Sequence, residues 1–404
     1  MKTLLTRIAI LLFVSHVAGV MTCTAVAGTP TRAASVAPGN APSSITRQPL
    51  VSAVTPTLRP DGKKWRLGYL GSGEHTEYPR TLRAIVQGLA QLGWLSTPEL
   101  PADLSSEQLW AFLAEHTTSA YLEFVHDAWW QPGHFDAEQR PKVRDAVMAR
   151  LSTLSDIDLI IAMGTWAGQD MVTLDAPVPT IVAAASDAVS AHIVESPADS
   201  GLDNLLARVQ PEHHQQQVRL FHDIVPFKRL GLVYENTPEG KTYGAVDAAQ
   251  QVARERGFDV IACHARSTGL TREQASKNVL DCYRRLAPDI DAAYVTLHIG
   301  TADTTTGHIA QILRQAHIPS FAMLGSEYVE QGILLSLAQA DYAYVGLFYA
   351  KSIARIFNGA QARQLNQIWM DPQKLAINLY TARLIGFDPP VDVLLAADEV
   401  FENN

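Results

Sequence analysis

The stretch YENTPEGKTY, residues 234–243, ends in Gly240-Lys241-Thr242, the tail of a phosphate-binding loop. Such a loop wraps phosphate in successive backbone N–H groups and needs its first glycine at position 235. Glu235 stands there, a carboxylate that repels phosphate, and Pro238 removes one N–H donor. Gly71-Ser72-Gly73 begins a dinucleotide fingerprint, yet Thr76 occupies the place of its third glycine. No Gly-x-Ser-x-Gly elbow supplies a hydrolase nucleophile, and no His-Glu-x-x-His supplies a zinc site. His213 and His214 are adjacent, which points them to different sides of a helix or strand, so they read as a solvated polar face. Asp187 and Glu327 could form an acid/base pair, but their strand-end positions suit ammonium binding or helix capping equally well. No catalytic constellation, cofactor motif or metal set emerges, and the protein does not read as an enzyme.

These residues need elements to position them. From Trp65 the apolar pattern alternates between strand and helix. It predicts a strand over 66–70, then a helix over 80–92 with Leu82, Ile85, Val86 and Leu89 on one face and Gly93 as its stop. Helices over 109–115 and 143–154 and strands over 121–125, 159–163 and 180–184 follow. After a bridge the pattern restarts, with strands over 230–234, 259–263, 292–297 and 320–324 and helices over 243–256, 272–286 and 304–315. This alternation predicts an α/β fold of two doubly wound parallel-sheet lobes.

In such sheets ligands sit beyond the carboxyl ends of the strands. The unusual polar loops fall there each time: Gly71-Ser72-Gly73-Glu74, Gly164-Thr165-Trp166, Ser186-Asp187, Tyr234-Glu235-Asn236, His298-Ile299-Gly300 and Gly325-Ser326-Glu327. Helix N-termini behind them supply N–H donors and positive dipole ends suited to a carboxylate. Two facing rims of this kind make a cleft. For each loop residue taken singly, helix capping accounts for it as well as ligand contact does, so the functional case rests on the set. Within it Ser72, Gly164, Thr165 and Ser186 are placed to hold an anionic group and Asp187 or Glu327 a cationic one. Trp166 or Tyr234 offers a flat face, with Tyr78 and Tyr342 adding to the aromatic supply. Glu235, Asn236, His298, Ser326 and Asp341 complete the candidate rim, while Trp129 and Trp130 read as core.

Residues 1–27 read as an export signal, with Lys2 and Arg7, an apolar stretch over 8–20 and the small-residue cleavage site Ala25-Val26-Ala27. Thr22-Cys23 leaves lipid anchoring as a minor alternative. Loss of Lys2 and Arg7 takes the net charge of −9 to −11 (−9 − 2), which repels nucleic acid. Residues 28–60, rich in Ala, Pro, Ser and Thr, read as a disordered linker. About 340 residues remain, a length suited to two lobes. No later stretch has the ~18 uninterrupted apolar residues of a membrane helix. Cys263 and Cys282 remain after cleavage; an oxidising compartment permits a bridge, and the plainer reading is two buried thiols.

Several stretches carry a family resemblance: FKRLGLVYENTPEGKTYGAVDAAQQVARERGFDV, IPSFAMLGSEYVEQGILLSLAQADYAYVGLFYAKSIARIFNGA and QKLAINLYTARLIGFDPPVDVLLAADEVFE, with IDLIIAMGTWAGQDM and AASDAV before them. From about residue 63 to the end the chain resembles the type I periplasmic solute-binding proteins of ABC importers, in the branch for tryptophan, tyrosine and related substrates. The resemblance implies Venus-flytrap lobes that bind a small-molecule solute in the interlobe cleft, and a monomer that delivers it from the periplasm to an ABC permease in the inner membrane. It also implies lobe 1 at 61–207 plus 335–366 and lobe 2 at 208–334 plus 367–404. The segment 97–140 is longer and more aromatic than is usual, Glu235 is an added acid, and Ala188 replaces proline. The expected solute is therefore a small polar one, an amino acid or a relative, with aromatic solutes included. A ligand sensor without an importer and an exported two-lobe enzyme remain the alternatives.

Overall fold

The computed structural model describes residues 53–402 apart from 175, 176, 302 and 340. The export signal, Cys23 and the linker as far as residue 52 lie outside the described residues. The first sheet holds β1 (Trp65–Gly71), β2 (Leu122–Trp130), β3 (Leu159–Met163), β4 (Thr180–Ala183) and β5 (Leu205–Ala207). Its order is β2-β1-β3-β4-β5 and every pairing is parallel. Between these strands run α1 (Glu77–Gln91), α2 (Ser106–His116), α3 (Arg140–Thr153) and α4 (Thr165–Leu174). All five residues of the Leu-Ile-Ile-Ala-Met run in β3 are buried, because helices cover both faces of the sheet and no side chain faces water.

The second sheet runs β12-β11-β10-β9-β8-β6-β7. Its strands are β6 (Arg229–Tyr234), β7 (Asp259–His264), β8 (Ala292–Val295), β9 (Ser320–Ala322), β10 (Leu335–Gln339), β11 (Gln373–Asn378) and β12 (Glu399–Phe401). The helices that follow along the chain are α5 (His213–Ile224), α6 (Pro238–Tyr243), α7 (Val246–Arg256), α8 (Arg272–Leu286), α9 (Asp303–Gln315), α10 (Ser326–Glu330), α11 (Tyr342–Phe357), α12 (Leu379–Ile385) and α13 (Val391–Ala396), and of these α11 belongs to the core of the first lobe. One pairing, β10 with β11, is antiparallel. The helix expected over 243–256 is two helices, because Ala245 takes a left-handed backbone (φ +47°) after Gly244.

The chain crosses between the lobes through 208–211 and 367–371, which pair at Val209 and Ile368. Val209 N–H donates to Gln367 O at 2.8 Å and Trp369 N–H to Val209 O at 3.1 Å. It crosses again after β10, when α11 returns to pack on α1. That contact is close: a Cβ on Gly346 would lie 2.2 Å from Ala84 O. Leu335–Gln339 is a strand of the second sheet, whereas the sequence places that stretch in the return to lobe 1.

Two further expectations need correction. The linker is ordered from residue 53: Trp94 Nε1 donates to Val54 O at 2.8 Å, Trp65 Nε1 to Thr57 O at 2.9 Å, and Arg59 pairs with Asp158 at 3.2 Å. The indole N–H groups of Trp94, fully buried, and of Trp65, half-buried, need acceptors, and the extended strap has carbonyls to offer. Cys263 and Cys282 are bridged rather than free thiols, with Cα atoms 5.6 Å apart. The register of β7 against α8 brings them together, and Arg285 Nη2 lies 3.2 Å from both sulfurs.

Candidate functional site

A cavity of about 170 Å³ lies where the strand ends of the two sheets face each other. From the first lobe it is lined by His75, Glu77, Tyr78, Phe135, Thr165 and Ser186, and from the crossing segment by Arg208 and Gln210. His213, His214, Tyr243, His298 and Ile299 face it from the second lobe, and Tyr342 and Tyr349 on α11 close one side. Five aromatic rings therefore surround a small volume that also holds a carboxylate and a guanidinium.

Thr165 opens α4, where the first N–H groups of a helix have no partner within it. Its side chain is 2 % exposed, and its hydroxyl has no hydrogen-bond partner. The Tyr243 hydroxyl lies beside it, close enough to ease a phenol that burial pushes up, but outside hydrogen-bonding geometry. Gly164 brings this turn in: with φ +93°, a Cβ there would lie 2.2 Å from the Tyr78 hydroxyl and 2.5 Å from Ser72 Oγ. Ser72 is spent on the scaffold, donating to Met163 O and accepting from Ala167 N–H, each at 2.9 Å.

The three histidines of the second lobe's wall are held neutral. Burial is the first cause in each case, lowering His213 to about 3 and pulling His214 and His298 below the usual range. His298 has one available tautomer, since Nδ1 accepts from Gly300 N–H at 2.9 Å while Nε2–H donates to Ala265 O at 2.8 Å. Gln217, 0 % exposed, ties the wall from behind. Its amide donates to Met323 O at 2.9 Å and Leu337 O at 2.6 Å, and its oxygen accepts from the Tyr294 hydroxyl at 2.5 Å. That orientation makes His214 Nδ1, 3.3 Å from the same oxygen, a donor. The adjacent histidines are thus not a solvated face: α5 starts at the cavity wall, and both rings are half-buried there.

Of the residues expected at the site, Tyr78, Thr165, Ser186, His298 and Tyr342 line the cavity. The others are engaged elsewhere. Trp166 packs one layer behind, edge-on to Phe135 at 5.7 Å with the Arg140 guanidinium 4.8 Å above its ring. Asp187 caps its own turn through Val189 and Ser190 N–H at 3.0 Å. Tyr234 is buried with its hydroxyl 3.2 Å from His264, and Asn236 is exposed. Burial pushes the Glu235 carboxyl up, but bonds from Ser267 and Thr268 outweigh it and hold the acid below its usual range. Ser326 faces Glu399, Glu327 pairs with Arg80, and Asp341 caps α11 at Ala343 N–H.

The Gly-Lys-Thr stretch forms α6, with Thr237 Oγ1 accepting from Gly240 N–H at 3.0 Å. A Cβ on Gly240 would meet Glu235 O at 2.1 Å, so this glycine serves close packing. The lining residues not foreseen include His75, Glu77, Arg208, Gln210, Tyr243 and Tyr349. Apart from His75 they sit in helices or in the crossing segment, where periodicity offers no sign of a cavity.

The family model for ABC transporter substrate binding proteins matches residues 136–401. The chain belongs to that family. It is a family of binding proteins, not of enzymes; its members take a small-molecule ligand for an ABC transporter and work outside the cytoplasm. No curated protein matches significantly in sequence. Among solved structures, an ABC domain in complex with L-Trp from Streptococcus pneumonia is 20% identical with a TM-score of 0.62, covering 83% of this chain and 100% of its own. A conserved domain protein from Vibrio cholerae is 21% identical with a TM-score of 0.61, covering 84% and 100%. The open, ligand-free form of a substrate binding protein with adhesive properties from Clostridium difficile is 19% identical with a TM-score of 0.55, covering 84% and 100%. At such identities the likeness is one of fold, a type I solute-binding protein with two lobes. No helix among the described residues is long and apolar enough to cross a membrane.

Proposed function

We propose that the protein is the monomeric, periplasmic solute-binding component of an ABC importer, carrying a small polar solute of the amino-acid class to an inner-membrane permease. The observation that carries this reading is the buried, unpartnered hydroxyl of Thr165, the residue that opens α4 and lines the cavity together with Ser186. A carboxylate seated there takes that hydroxyl and the first N–H groups of the helix while the helix dipole favours its charge. Tyr78, Phe135, Tyr243, Tyr342 and Tyr349 supply apolar and π surface for the rest of the solute, so an aromatic or branched side chain suits the cavity better than a polyhydroxylated one. The volume lies below the ~300 Å³ at which pockets for drug-sized ligands begin, which favours a solute of amino-acid size. The L-Trp complex among the similar structures agrees with this class.

Native mass spectrometry of mature protein purified gently from the cell envelope, with release and identification of any bound molecule, tests the reading. A single carboxylate-bearing solute released unchanged supports it. Calorimetry with Thr165→Val then gives affinity lower by roughly ten- to hundredfold, the cost of one hydrogen bond to a charged group. A solute lacking an anionic group, turnover of the bound compound, or undiminished affinity in Thr165→Val overturns it.

A further inference from the structure

We propose that the Arg80–Glu327 ion pair is a latch that joins the two lobes before solute arrives and so sets how firmly solute is retained. Arg80 lies on α1 of the first lobe and Glu327 on α10 of the second, 247 residues apart. Arg80 Nη1 stands 2.9 and 2.8 Å from the two carboxylate oxygens. The pair ends a connected series that starts in the cavity: the Tyr342 hydroxyl donates to Glu77, and Glu77 lies 3.8 Å from the same Arg80 nitrogen. Both Tyr342 and Glu77 line the cavity, so solute contacts and the latch share one network of charges.

A second contact crosses between the lobes. Ile299, on the loop braced by His298, packs against the hydrophobic core of the first lobe. This apolar contact brings the lobes together, and the exposed ion pair at the rim adds a bond present only in the closed form. An interaction present only when closed raises the closed fraction of the empty protein and slows solute release. Because both side chains are partly exposed, salt screens the latch.

The inference rests on the lobe movement that the solute-binding reading implies, and its test contains no solute, so the two readings fail separately. Nitroxide labels are placed at A149C on α3 and Q250C on α7, both exposed and on opposite lobes, with the native bridge intact. Pulsed dipolar spectroscopy on the empty protein then reads the distribution of interlobe distances. The expected result is a short-distance population that shrinks as salt rises. In R80E the closed-to-open ratio falls by roughly fivefold, as for an exposed pair worth about a kilocalorie, and in R80E/E327R it returns. Thermal melts separate latch loss from unfolding, and E327Q replaces R80E if the latter melts early. Distributions that coincide in wild type and variants, a charge swap that fails to restore the short distance, or an empty wild type that is open at every salt concentration overturns the proposal.

Discussion

Replacing Asp371 by alanine removes the acceptor at the centre of the lobe crossing. The Asp371 side chain is 0% exposed and that of Arg208 15% exposed, and the two form an ion pair. Asp371 also accepts from Trp369 Nε1 at 2.8 Å and Gln210 Nε2 at 3.2 Å. Burial pushes the Asp371 carboxyl up by more than Arg208 draws it down, the sign of a charge kept dry at a real desolvation cost. Asp371→Ala leaves a half-buried guanidinium unpaired and two N–H groups without their acceptor, a loss of about 3–5 kcal/mol. With a urea slope of about 3 kcal/mol per molar, the unfolding midpoint falls by roughly 1–1.7 M, read by tryptophan fluorescence. The paired replacement Arg208→Met with Asp371→Leu recovers most of that loss, since removing both charges also removes their desolvation. An Asp371→Ala protein within about 1 kcal/mol of wild type would falsify this account of the hinge, because the cost of breaking a buried pair is several times larger.

His213, neutral when folded and lowered to about 3, takes a proton in the unfolded chain from near pH 6.5 downward. Stability from this group is complete above pH 6.5 and is lost as pH falls toward 3, at up to about 1.4 kcal/mol per pH unit. His213→Gln therefore flattens the acid limb of a stability–pH profile measured by urea titration, and an unchanged limb excludes His213 as its source. Replacing both Cys263 and Cys282 by alanine frees a loop with a sequence separation of 19 and costs about 3 kcal/mol, read in the same titration. Gly346→Ala sets a methyl against Ala84 O where only 2.2 Å is available, parting α1 from α11. It should lower stability by about 1–3 kcal/mol, and a neutral result in a thermal melt contradicts the close approach.

Local pattern was enough for much of the architecture. The apolar run of β3 and the amphipathic face of α1 follow from nearest-neighbour chemistry and periodicity, and their alternation implies parallel sheets with covered faces. The family motifs lie in such segments, so fold and binding class were legible in the sequence. The direction of each polar side chain was not. Ser186 and Asp187 are neighbours on one turn, yet Ser186 lines the cavity while Asp187 caps the backbone ahead of it, a choice made by the backbone path. Trp166 follows Thr165, but Phe135 and Arg140 enclose its ring one layer back.

Arg208, His213 and His214 sit in a crossing segment and the helix after it, and only the approach of the other lobe turns their positions into a wall. The Cys263–Cys282 bridge likewise depends on how β7 sits against α8. Sequence by itself determined the elements and their order, because those depend on neighbours along the chain. The cavity, the hinge pair and the rim latch were decided by tertiary structure, because each joins groups that only packing brings within bonding distance.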